Sequence, residues 1–382
     1  MFHTFGSWGR LAIDIMLTLS IFLGAISYIM FISRNVASVA SALEVMQTTS
    51  SSSIVSSFSG GMQSLQAISS QASSARQDRD PFSCVGRKSL MALASSSTNA
   101  SSSLRFGNFA GLDWSSSSTY VWLVFPLEAA LAAIPSITLL APFSLLADVL
   151  NLGALATIMV SDTMEIIRNL TYANMKAIKS MVAVPSAFGV GIYTFQFSSI
   201  MIPIEAAMKE PKKLGSVMGM AFVFCCVVYI VFAMLGYAAF GESTKQIITL
   251  NLQSGIEAML IKSAISFALL LAIPLVLNPA FELVERRFSH RKLSLALRTL
   301  VVLVVCLLAT TVKQFTVFLS LVGSSISCLV GFIIPAAIHI KVMKEDDENP
   351  PTSLMFFADV FLIVFGLAFG AFGTTVSFLE LF

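Results

Sequence analysis

The chain has 382 residues, 56% of them hydrophobic and 12% charged, with a mean hydropathy of +0.85 and a formal net charge of +2. No soluble domain of that length can hide so much apolar surface, and repeated runs reach the roughly 20 apolar residues that a membrane-spanning helix needs. The near-balanced charge holds no basic cluster suited to nucleic acid, so no such partner is expected.

The first apolar run, span A, covers about Leu11 to Ile32, with Arg10 before it and Arg34 after it. It is long and lacks a small-residue cleavage site, so it reads as a span rather than a cleavable signal. Its far half carries Ser27 and Tyr28. A phenolic hydroxyl at that depth needs a partner, unless it belongs to the interfacial aromatic belt. Serine runs then recur at Ser50–Ser53, Ser95–Ser97, Ser101–Ser103 and Ser115–Ser118. Such low-complexity sequence cannot bury enough to fold and is expected to be disordered. The chain thus divides into a first span at 1–46, a disordered serine-rich insertion at 47–119 and a transmembrane helical domain at 120–382.

Span B runs from about Tyr120 to Leu140, and span C follows Pro142 at once, from about Phe143 to Val160. So short a connection makes them an antiparallel pair. Asp148 lies within C, where a carboxylate must face protein or water. Ser161 to Val182 reads as a separate amphipathic helix along the membrane surface, opened by Asp162 and Glu165 at capping-box spacing. Span D covers Val184 to Pro211, E about Gly215 to Phe240, F about Gly255 to Leu277 with Lys262 inside it, and G about Leu295 to Thr311. H, from about Phe315 to Ile340, holds Gly323, Ser324, Ser325, Ser327 and Gly331, small residues that allow close helix packing. Span I is about Leu354 to Phe378. The result is about nine spans. Lysine and arginine in the short connections place the start, Lys209–Lys213, Arg286–Lys292 and Lys341–Lys344 on the cytoplasmic side.

Span D is apolar enough to cross a bilayer and poorly made as a helix. Gly189 and Gly191 each cost roughly 1 kcal/mol against alanine in a helix interior, Pro203 removes a backbone donor, and Gln196, Ser198 and Ser199 set polar groups near the middle. A kinked span packed through small residues has this composition. So does a broken helix whose freed backbone groups form a binding site, a device transporters use. The break is expected at Gly189-Val190-Gly191. Elsewhere, no phosphate loop, catalytic carboxylate pair, nucleophile triad or metal-ligand spacing is visible. The five cysteines, Cys84, Cys225, Cys226, Cys306 and Cys328, show no C-x-x-C spacing and read as bland thiols. Neither enzyme activity, nor a metal, nor a cofactor is expected.

Several segments carry a specific resemblance: IPSITLLAPFSLLADVLNLGA at Ile134–Ala154, IPIEAAMKEPKKLG at Ile202–Gly215, LGYAAFGESTKQIITLNL at Leu235–Leu252, NPAFELVERRFS at Asn278–Ser289 and FLSLVGSS at Phe318–Ser325. With Gly9-Arg10 through Ile32 they stand in one order along the chain. It resembles the amino acid/auxin permease family, and most of all the vacuolar neutral amino acid transporters of plants and fungi. The resemblance implies an all-α polytopic membrane protein with an inverted-repeat, LeuT-like amino acid transporter fold. Spans A to C resemble family spans three to five, D to H resemble six to ten, and I resembles eleven. Family spans one and two have no counterpart, so the fold is expected to be N-terminally truncated. Many relatives read F-E-G where this chain has Phe195-Gln196-Phe197, so proton coupling through that carboxylate does not carry over, and Phe197 narrows or fills the pocket.

The implied function is a secondary transporter of small neutral amino acids, proton-coupled, multi-pass in a vacuolar or lysosomal membrane. Its partners are the amino acid, protons and membrane lipid, with any protein partner unspecified. Backbone donors at a half-helix start attract the substrate carboxylate, and free carbonyls and hydroxyls take its ammonium. Gly189, Gly191, Tyr193, Gln196, Ser198 and Ser199 are the candidates on span D, with Tyr28 on A and Ser266 on F added by the fold analogy. Two other readings stay open: a transport-dead relative acting as solute sensor or membrane interaction protein, and a truncated gene model of a normal transporter.

Overall fold

The computed structural model describes residues 2–74, 116–134, 137–169, 181, 183–197, 201, 204–205, 208–253, 255–287, 295–345 and 353–381. Every regular element among them is helical. They are α1 (Phe2–Ser74), α2 (Ser117–Ala132), α3 (Ile137–Asn169), α4 (Ala183–Thr194), α5 (Leu214–Phe240), α6 (Ile256–Arg287), α7 (Leu295–Thr311), α8 (Phe315–Val322), α9 (Ile334–Glu345) and α10 (Ser353–Leu381). Two wider π-helical turns, Gly323–Ser327 and Leu329–Ile333, join α8 to α9. Six stretches among the described residues are long and apolar enough to cross a membrane: Leu11–Ser50, Pro142–Arg168, Pro211–Ser243, Ile256–Val284, Phe315–Lys344 and Ser353–Leu381. Residues 1–36 with 121–382 form one compact unit, and residues 37–120 form a second.

Hydropathy places most helices where the sequence does, and three stretches differ. Helix α1 continues through Gln47 to Ser74, where serine-rich sequence suggests disorder. Serine is a modest helix former, and extending an existing helix avoids the nucleation cost that a free serine-rich segment would meet. The rest of that insertion, 75–115, lies outside the described residues. The B–C junction falls after Ala132, and Pro142 stands inside the start of α3 rather than before it. The separate surface helix from Ser161 is not formed at its start. Ser161–Asn169 are the last turns of α3, so Asp162 caps nothing and is fully buried instead. Residues 170–180 and 182 of that stretch lie outside the described residues. Asp148 is exposed on α3 rather than enclosed by protein.

The core of the larger unit gathers on α1, α2, α6, α7 and α8. Ile26, Ile29, Val121, Leu277, Phe281, Val302, Cys306 and Val322 are among its buried members. On α2 the buried positions Val121, Val124, Glu128 and Ala132 keep helical spacing, and Arg298 of α7 donates to the Ala132 carbonyl at 3.4 Å. At one end of the bundle Arg34 acts as a strap. Its guanidinium donates to Gln246 at 3.2 Å and to the Lys313 carbonyl at 2.5 Å. Gln246 in turn accepts from the Phe315 backbone N–H at 3.1 Å, capping α8. Helix α5 ends on Gly241, which adopts φ 52°, a conformation that costs glycine little.

Helices α4, α8 and α10 meet through small residues. A Cβ built on Gly323 would stand 1.7 Å from the Gly189 carbonyl oxygen, and one on Gly189 would stand 2.6 Å from the Ser320 carbonyl oxygen. On α10, a Cβ at Gly373 would lie 2.8 Å from the Ser324 Cβ. The hydroxyls in this crossing are satisfied locally. Ser320 donates to the Ser186 carbonyl at 2.8 Å and shares a 2.7 Å hydrogen bond with Ser377. Ser324 and Ser325 bond back to carbonyls one turn earlier, at 2.8 and 2.5 Å.

Gly323→Ala is expected to destabilise the fold by about 1–3 kcal/mol, the range for forcing an extra methyl into a packed site. Gly191→Ala has open space around its new methyl and should be neutral or stabilising by up to about 1 kcal/mol. Thermal unfolding of the two variants side by side in detergent checks the contrast.

Candidate functional site

Span D is broken, one turn beyond the expected point. Gly189-Val190-Gly191 lie inside α4, and the helix gives way at Phe195–Phe197. The correction has a physical cause: Gly189 serves the crossing with Gly323 and Ser320, which needs a helix with no side chain rather than an unwound one. The ladder thins instead at Phe195, whose N–H still reaches the Gly191 carbonyl at 3.3 Å, while the Gln196 N–H closes a tighter turn on the Tyr193 carbonyl at 3.2 Å. Beyond Phe197, Ser198, Ser199 and Pro203 lie outside the described residues.

Gln196 stands in the break and ties three elements together. Its amide nitrogen donates to the Ser20 hydroxyl on α1, and its amide oxygen accepts from the Ser327 hydroxyl in the first π-helical turn. One turn earlier Tyr193 shares a 2.5 Å hydrogen bond with Ser27, which also donates to the Gly24 carbonyl at 2.7 Å. Tyr28 packs on the same apolar core as Tyr193. The structure brings Tyr193 and Gln196 into one region with Ser20, Ser27 and Ser327. Ser20 and Ser27 lie on one face of α1, two turns apart, and that spacing is the signal that marks them. Gly189 is consumed by packing, and Gly191 is exposed. Ser266 lies buried on α6 and donates to the Lys262 carbonyl of its own helix at 2.7 Å. Lys262 is buried, with Lys245 beyond the helix start as a charged neighbour.

Beside the break lies a cavity of about 620 Å³. Phe188, Phe195, Phe197, Phe222 and Phe332 form its walls, Gly191 and Gly331 open them, and Gln196 and Ser327 supply the polar groups. Phe195 packs on Phe222 with ring centroids 4.7 Å apart, and Phe197 meets Phe222 edge-on at 6.3 Å. Phe197 therefore walls the space without closing it. No charged residue lines it among the described residues. Two carboxylates elsewhere, Glu128 and Asp162, are fully buried, and none of their oxygens has a hydrogen-bond partner among the described residues. Among the described residues no cluster of histidine, cysteine or acidic side chains has the form of a metal site.

Helices long enough to span, small-residue crossings between them and an interrupted span beside a cavity define an all-α polytopic integral membrane protein. Residues 82–379 match the family described as transmembrane amino acid transporter protein, and the chain belongs to that family. It is 39% identical over 268 residues to Amino acid transporter AVT3C of Arabidopsis thaliana, covering 70% of this chain and 60% of that one. It is 38% identical over 265 residues to Amino acid transporter AVT3B, covering 69% and 63%. It is 27% identical over 277 residues to Amino acid transporter ANT1, covering 67% and 63%; both are from the same plant. The chain thus spans roughly three-fifths of the length of the curated relatives it matches.

Gln196→Leu removes both side-chain hydrogen bonds at the break and is expected to cost about 1–3 kcal/mol, since the two serines lose a buried partner. Gln196→Glu keeps two acceptor oxygens for the Ser20 and Ser327 hydroxyls and should unfold closer to the parent than Gln196→Leu does. Unfolding midpoints at neutral pH order the three proteins.

Proposed function

We propose that the protein is a secondary transporter of small neutral amino acids and that its substrate occupies the cavity beside the Phe195–Phe197 break. The observation that carries this reading is the site's composition: an interrupted helix, two polar side chains and an aromatic wall with no charged lining residue among the described residues. A helix that ends leaves carbonyls of its last turn without intrahelical partners; at the end of α4 the Gly191 and Tyr193 carbonyls accept from the Phe195 and Gln196 N–H groups, and the other carbonyls of that turn suit an ammonium. The remaining hydrogen-bonding capacity of Gln196 suits a carboxylate. The phenylalanines accept an apolar side chain and disfavour a charged one, because burying an unpaired charge is costly.

Proton coupling and residence in a vacuolar or lysosomal membrane belong to the same proposal and rest on the resemblance to such transporters. With glutamine at position 196, coupling has to use a group other than a carboxylate in the break. Membrane lipid is the expected surrounding of α5, whose Met220, Val223, Phe224, Val227, Ile230 and Met234 are all exposed.

Vesicles holding the purified chain and radiolabelled L-alanine test the proposal. It requires saturable flux that prefers the L-enantiomer and falls at least tenfold in Gln196→Ala, the loss of about 1.4 kcal/mol or more of substrate stabilisation. It further requires that dissipating a pH gradient lowers accumulation. Substrate binding without flux would identify a solute-binding relative and overturn transport, and flux indifferent to Gln196 would overturn the site.

A further inference from the structure

A second cavity, of about 530 Å³, lies where the end of α3, the end of α5 and the start of α6 meet. Its chemistry differs from that of the cavity at the break. Helix α3 contributes Ser161, Glu165 and Arg168, the chain before α6 contributes Asn251 and Gln253, and the first turn of α6 contributes Glu257. Gln253 donates to Glu165 at 3.3 Å, which fixes the chain before α6 against α3. One wall therefore offers a guanidinium, a fixed carboxylate and the Gln253 amide, beside the first N–H groups of α6, which have no partner within the helix; the Asn251 amide serves its own loop, accepting from the Lys245 N–H at 2.7 Å and donating to the Ser243 carbonyl at 3.0 Å. Phe240, Leu252 and Ile261 give the cavity an apolar floor. Behind it the same turn of α3 buries Asp162, whose oxygens have no hydrogen-bond partner among the described residues and which faces Gly236 on α5.

A site lined by both signs of charge suits neither a simple anion nor a simple cation. We infer that this cavity is a second binding site for a free zwitterionic amino acid, the carboxylate held by Arg168 and the α6 N-terminus and the ammonium by Glu165 with the neighbouring Gln253 amide oxygen. The identity of the ligand rests on the amino acid reading above; the opposed charges of the site do not. Arg168 in the last turn of α3 and Glu257 in the first turn of α6 also suit the two helix dipoles. That role alone would shift stability and leave ligand binding untouched.

Equilibrium dialysis of radiolabelled L-alanine against the full chain in phosphatidylglycerol nanodiscs, which carry no zwitterionic headgroup, separates these outcomes. Two equivalents per chain are expected, falling to one in Arg168→Ala, returning toward two in Arg168→Lys, and falling to one in Gln196→Ala. Should Arg168→Ala fail to fold, Glu165→Gln is read in its place, with a severalfold weaker second equivalent expected. A single equivalent in the parent that Gln196→Ala removes would overturn the second site and leave the proposed function standing. No binding to the parent would overturn both. Two equivalents in Arg168→Ala and Glu165→Gln alike would overturn the assignment of the second to this cavity.

Discussion

The tightest approach among the described glycines is that of Gly189 on α4 to Gly323 in the π-helical turn after α8. Neither position has room for a Cβ against its neighbour. In a membrane, apolar burial gives little drive for one helix to seek another, so close backbone contact and interhelical hydrogen bonds carry the association. The Ser320 hydroxyl supplies such bonds to both α4 and α10 at this point. With α4 fixed here, its last turn and the break after it are set against α1 and the π-helical turn. The π-helical geometry has its own consequence, since such turns are rare and concentrate at functional sites. Here it presents Gly323 toward α4 and, one turn later, Ser327 to Gln196.

Gln196 turns that packing into a polar site. A break in a membrane helix exposes backbone groups that need partners, and the side chain at the break is bonded to two other elements rather than left to solvent. Tyr193 and Ser27 make a second tie between α1 and α4 one turn earlier. The site is thus held by short hydroxyl and amide contacts between helices that pack through small residues. The aromatic wall adds shape, with Phe188 packed on Phe369 of α10 at 4.9 Å and Phe195 on Tyr229 of α5 at 5.5 Å.

Much of this was legible in the sequence where the signal is local. Apolar runs locate the helices, because a spanning helix must be apolar over its whole length. The glycines, proline and polar residues of Val184–Pro211 mark that span as the interrupted one. Gln196 and Tyr193 stand out as polar groups in an apolar run. What escapes is whatever depends on a partner helix. Gly189 and Gly191 look alike in sequence, yet one meets Ser320 and Gly323 while the other has open space, so the break was misplaced by a turn. Asp162 has a cap's spacing, but nothing local shows that α3 runs on past it and buries it. Ser327 was legible as a small packing residue and not as the donor to Gln196, which requires knowing how α4 and the π-helical turn face each other. The helical stretch to Ser74 escapes for the opposite reason, since composition alone omits the helix that precedes it.

Substrate protection of a thiol placed in the cavity wall tests the site most directly. Phe197→Cys, in a chain whose native cysteines are replaced, should react with a small water-soluble thiol reagent, because Phe197 lines the open cavity. L-Alanine should slow that reaction severalfold, and D-alanine should not. Equal labelling rates with and without L-alanine, in protein that binds L-alanine, would show that the substrate sits elsewhere.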